Sequence, residues 1–169
     1  MNSSPPVERQ NCYDIAITMG DPAGIGPEII CRALSAMSAT ERATAMVIGD
    51  PAIYRRAAAS VGAALEFVPL EQAESGKDYV AVGVVEMPEG VEIPDGQISA
   101  GAGDMAFRCV HKAVELVQAG RAQVIVTAPL NKAALHEAGH HYDGHTGMLA
   151  SLTGAPSSFM LLASETLST

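Results

Sequence analysis

Apolar positions along this chain take turns between two rhythms: short unbroken runs, and longer stretches in which they recur at helical spacing. IAITM (15–19) is the first run and ends at Gly20. A helix is expected from Pro27, because proline suits the first helical position, and Ile29, Ile30, Ala33, Leu34 and Met37 continue at helical intervals. AMVIG (45–49) again reads as a strand, followed by a helix from Pro51 to about Ser60 and a strand around EFVPL (66–70). Residues 71–78 are a polar connection, YVAVGVVE (79–86) is β-rich, and residues 87–97 are punctuated by Pro and Gly as an irregular excursion. A long helix fits 99–119, with Met105, Cys109, Ala113, Leu116 and Val117 on one side and Gly120 placed to end it. VIVTA (124–128) reads as a buried strand, followed by short helices near 131–138 and 146–153, the latter ended by Gly154, and a strand at FMLLA (159–163).

Strands alternating with helices predict an α/β fold with a parallel-rich sheet flanked by helices. Composition agrees: 48% of the 169 residues are apolar and there is no Trp, so small and branched side chains must fill the layers. That hydrophobicity excludes a disordered chain.

Charge changes the picture of partners. With 19 acids against 10 bases the net charge is −9, which argues against nucleic acid and anionic membrane surfaces. A phosphorylated small molecule remains compatible, since local amides can hold a phosphate inside an acidic protein. Cys12, Cys31 and Cys109 are too widely spaced for a metal or redox pair and read as reduced thiols, the latter two in the core. The polar start of the chain lacks a signal-peptide core, and no apolar run reaches membrane-span length. A cytoplasmic protein is expected.

Three stretches could carry chemistry. Residues 20–28, GDPAGIGPE, lie between a strand and a helix, where glycines admit a ligand and a helix N-terminus offers free amides. Within them Asp21, Gly24 and Gly26 are candidate cleft or anion contacts; the stretch also reads as a plain tight turn, and it is neither a dinucleotide fingerprint nor a Walker loop. Thr127 to Lys132 (TAPLNK) directly follows a strand, where ligands of open sheets gather. Lys132 could hold a phosphate or carboxylate there, or be a solvated charge beside an Asn131 that caps the next helix. Last, Asp143 to Gly147 (DGHTG) leads into a helix that Thr146 could cap, with His145 beside an anion at its start, or simply exposed. His136, His140 and His141 make no metal site by spacing, because Gly139 and Gly144 interrupt any helix that would align them.

In this order, the three stretches resemble the N-terminal half of the 4-hydroxythreonine-4-phosphate dehydrogenase family. That family shows G-[DE]-P-A-G-I-G-P-E after a strand, a later T-[AG]-P-[IL]-[NH]-K segment, then G-H-T-E before a helix ending in L-T-G. Here they are matched by residues 20–28, 127–132, 144–146 and 152–154, and the likeness extends through nearly all the chain beyond its leader. The resemblance implies a fold like isocitrate and isopropylmalate dehydrogenases, with two α/β domains in the full-length protein and a homodimer. A disordered leader over 1–12, a first α/β domain over 13–128, incomplete without a C-terminal half, and the truncated start of a second, dimerisation and substrate domain over 129–169 are expected.

The resemblance further implies oxidation of the secondary alcohol of 4-phosphohydroxy-L-threonine by NAD or NADP, then decarboxylation, in pyridoxal 5'-phosphate biosynthesis. By position His145 and Thr146 would bind substrate; no catalytic residue is assigned. The chain departs from the pattern at Gly147, where the family has glutamate, which leaves open relatives acting on phosphorylated erythronate or threonate, or on aromatic cis-dihydrodiol acids. The family's divalent metal (Zn, Mg or Co) is held by histidines expected beyond Thr169, so no metal ligand is expected in this chain, and alone it should be inactive. A non-catalytic fragment that keeps only the fold is the reading from a different class.

Overall fold

A computed structural model describes residues 12–74 and 77–162. The leader expected over 1–12 therefore lies, apart from Cys12, outside the described residues. Among the described residues, five strands form one parallel sheet: β1 (Tyr13–Thr18), β2 (Ala45–Gly49), β3 (Phe67–Pro69), β4 (Val80–Val84) and β5 (Ala122–Thr127), in the order β3-β4-β2-β1-β5. The helices are α1 (Gly26–Ala36), α2 (Ala39–Arg42), α3 (Pro51–Val61), α4 (Ala100–Gln118), α5 (Lys132–Glu137) and α6 (His145–Thr153). None is long and apolar enough to cross a membrane, among the described residues.

Local chemistry accounts for the helix boundaries. Asp50 caps α3 through the Ala52 N–H, Pro51 opens it, and Gly62 closes it in the left-handed conformation. Ser99 caps α4 at the Ala102 N–H. The four-residue α2 carries a capping box in which Ser38 and Glu41 satisfy each other's backbone N–H.

The core forms where the sheet meets α1, α3 and α4. All five residues of β2 are buried, and Tyr54 of α3 is fully enclosed, stacked on Phe67 with its hydroxyl donating to the Ile48 carbonyl at 3.1 Å. Cys31 and Cys109 are both completely buried, and burial pushes their thiols up to about 11 and about 12. A smaller cluster of Val110, Leu135 and Met148 ties α5 and α6 to α4. Gly103 of α4 lies so close to α5 that a β-carbon there would collide with the Ala134 carbonyl.

The structure corrects four expectations. VIVTA is not a buried strand: Val124 and Val126 are 55% and 43% exposed, because β5 is an edge of the sheet and that side is left uncovered. On α1 the buried stripe runs through Ile30, Cys31 and Leu34, while Ile29 and Ala33 face outward. The strand expected at 159–163 is absent over its described residues, and Phe159 to Leu162 are exposed. Finally, Thr146 does not cap α6. Gly144 holds that place with φ 149° and ψ −168°, a backbone region reserved for glycine, so the helix begins earlier.

Candidate functional site

Two of the three candidate stretches meet at the carboxyl end of the sheet. The chain leaves β1 toward β2 on one side, and β5 lies on the other, which makes the gap between β1 and β5 a topological switch point. The Asp21 N–H donates to the Pro129 carbonyl at 2.9 Å, and the Ala128 N–H to the Thr18 carbonyl at 3.2 Å. The GDPAGIGPE loop thus rests on the TAPLNK segment.

Most of that loop is committed internally. Asp21 is buried, and its carboxylate accepts the Ala23 N–H at 2.9 Å, closing a local turn. Gly20, at φ +72°, has no room for a β-carbon against Pro129, and Gly26 has none against the Met19 carbonyl. Gly24 alone of the three is exposed and meets only ordinary contacts. The Ala23 carbonyl accepts the Gly96 N–H at 2.7 Å, which pins the irregular excursion over the loop. Two polar atoms flanking the loop, Thr18 Oγ1 and Glu28 Oε2, are buried without a hydrogen-bond partner. Sequence reasoning gave neither a role; the signal was their position at the last residue of β1 and in the first turn of α1.

In the second stretch Asn131 caps α5, its side chain accepting the Ala133 and Ala134 N–H groups at 3.0 and 3.2 Å. Lys132 is exposed at the first position of that short helix.

The third stretch is the most open to a ligand. At the start of α6, Thr146 and Gly147 are exposed, nothing lies within 4 Å of a β-carbon built on Gly147, and the first turn carries no acid. His145 is half-buried, and this burial lowers its pKa below the ordinary histidine value. Its Nε2 is buried with no hydrogen-bond partner. The α1 start differs: Glu28 occupies its first turn, where a carboxylate repels an anion.

Two other histidines serve structure. His140 Nε2 lies 3.0 Å from Asp104 Oδ1, and His136 Nε2 lies 3.1 Å from the Tyr142 carbonyl. Among the described residues no three His, Cys, Asp or Glu side chains gather as metal ligands. A hollow of about 560 Å³ between β4 and α4, lined by Glu86, Arg108, His111 and Lys112 among others, was not foreseen. Its cations are largely paired with Glu115 and Asp104, so it offers little net charge.

A parallel sheet with open loops at its carboxyl end defines a class, the open α/β proteins that take small ligands at a switch point. Within that class the chain belongs to the family described as pyridoxal phosphate biosynthetic protein PdxA, whose pattern matches residues 41–169. It is 44% identical to the D-threonate 4-phosphate dehydrogenase of Salmonella typhimurium over 161 residues, covering 90% of this chain and 48% of that protein. It is 37% identical to the 4-hydroxythreonine-4-phosphate dehydrogenase of Trichlorobacter lovleyi over 157 residues, covering 90% and 47%. The crystal structure of a 4-hydroxythreonine-4-phosphate dehydrogenase from Burkholderia phymatum superposes with a TM-score of 0.81 at 39% identity, covering 93% of this chain and 48% of that one. The family is therefore one of dehydrogenases, and the chain spans about half the length of these relatives.

Proposed function

We propose that the protein carrying this chain oxidises the secondary alcohol of a four-carbon, 4-phosphorylated hydroxy acid, with NAD or NADP as hydride acceptor. The observation that carries this reading is the start of α6, an open helix N-terminus with no acid in its first turn, where His145 is half-buried. Its free amides and the Thr146 hydroxyl can donate to an anionic oxygen of the substrate. His145 is held neutral by burial near physiological pH, so it engages an oxygen through an N–H rather than through full charge. The GDPAGIGPE loop lines the carboxyl end of the sheet, with Gly24 its exposed glycine, while Asp21 and Gly26 hold its form. Lys132, exposed and at the carboxyl end of β5, supplies a cation to the same edge.

Two features favour D-threonate 4-phosphate over 4-phosphohydroxy-L-threonine as substrate. The relative named for the first is 44% identical and the relative named for the second 37%. Gly147 also stands where the 4-hydroxythreonine-4-phosphate pattern has glutamate. A divalent metal, subsequent decarboxylation, a homodimer, a second domain beginning near residue 129 and a cytoplasmic setting belong to the same reading.

The test is NAD(P)H formation by the protein with each acid in turn. Turnover of D-threonate 4-phosphate is expected, with KM raised about tenfold by Thr146→Ala, the scale of losing one charge-assisted contact. Turnover of neither acid would overturn the proposal.

A further inference from the structure

Residues 139–144 connect α5 to the candidate substrate site, and their course is set by side chains. Gly139, at φ +84°, reverses the chain after α5. His140 then reaches back to α4: its ring stacks on Phe107 at 3.8 Å between centroids and 13° between planes, while its Nε2 meets Asp104 Oδ1 at 3.0 Å. Tyr142 lies parallel to the same Phe107 ring at 6.1 Å, and His136 grips the Tyr142 carbonyl. Three residues beyond Tyr142 comes His145.

A solvated His–Asp pair by itself would fix little. Here the His140 side chain is only 23% exposed and is held by a ring face and a carboxylate at once, which leaves it one orientation. Both contacts come from a single turn of α4, so the loop is referenced to the helix that packs across the sheet. We infer that His140 is a positioning residue for the substrate site: clasped between Asp104 and Phe107, it sets where the start of α6 presents His145 and Thr146. This rests on the proposed function for its meaning in catalysis, though not for its geometry.

The experiment uses the whole protein that carries this chain, with His140→Ala, His140→Gln and Asp104→Asn, reading three things: kcat and KM for D-threonate 4-phosphate, the His145 imidazole NMR signals, and affinity for inorganic phosphate. Glutamine places an N–H where Nε2 stands and so keeps the bond to Asp104. His140→Ala is expected to raise KM about tenfold, with kcat within about twofold, the scale typical of losing a supporting partner behind a ligand-binding group. The His145 signals should move and phosphate binding weaken in parallel, with His140→Gln recovering most of each and Asp104→Asn falling between. Unchanged KM and unmoved His145 signals in His140→Ala would overturn the inference. So would a matched loss in kcat, KM and thermal stability that glutamine does not restore, since that marks a merely structural residue. If the unsubstituted protein turns over neither acid, the proposed function falls, while the His145 signals and phosphate affinity still decide the clasp.

Discussion

Two glycine-bearing helix entrances lie on this protein, and they have opposite characters. The entrance to α1 is filled: Gly20 and Gly26 press against neighbouring backbone, and Asp21 is buried on its own turn. The entrance to α6 is empty of such contacts, with open space around Gly144 and Gly147. In sequence both look like phosphate cradles. The difference teaches that a glycine can serve the approach of the protein's own backbone as readily as that of a ligand, and the charges nearby help tell which.

The sharpest way to break the comparison is Gly20→Ala. Positive φ and a collision with Pro129 act together there, so stability should fall by about 3 kcal/mol or more, read from urea denaturation. A loss under about 1 kcal/mol would mean that the α1 entrance is looser than described. Gly144→Ala has strain but no collision and should cost roughly 1–3 kcal/mol by the same measurement.

Next in size is the titration of His145. Its folded pKa lies below that of the unfolded chain, which titrates near about 6.5. As pH falls through that value the unfolded state takes up a proton that the folded state resists, so this residue lowers stability on the acidic side and contributes nothing well above it. An NMR midpoint below that of free histidine, moving upward when inorganic phosphate binds, is the expected result. A midpoint at or above the free value would remove the buried, neutral His145 from the site. The smallest effect belongs to Gly147→Ala, which meets open space inside a helix and should gain about 0.5–1 kcal/mol.

Much of the fold was legible in the chain because local rules govern it. The apolar runs of β1, β2 and β4, the proline-opened α3 and the long stripe of α4 all stand where periodicity put them. Even the four-residue α2 carries its signature in Ser38 and Glu41. What stayed hidden depends on neighbours distant in sequence. Val124 and Val126 have the composition of a buried strand, and only the sheet order shows β5 at an edge. Likewise, the contact between Asp21 and Pro129 exists because β5 lies beside β1, a pairing that no local pattern records. The resemblance to a family supplied His145 and Thr146 as a pair; the clasp on His140 became visible only with α4 and the loop in place.

Gly103 has a consequence for how the site could be retuned. Because α5 rides on α4 with backbone against backbone at this point, the joint behaves as a bearing machined without clearance. Adding one methyl group there would act as a shim, tilting α5 and carrying the His140 loop and the head of α6 with it. Small displacements at the pivot would grow along the limb, so the placing of His145 and Thr146 would answer to a position that touches neither.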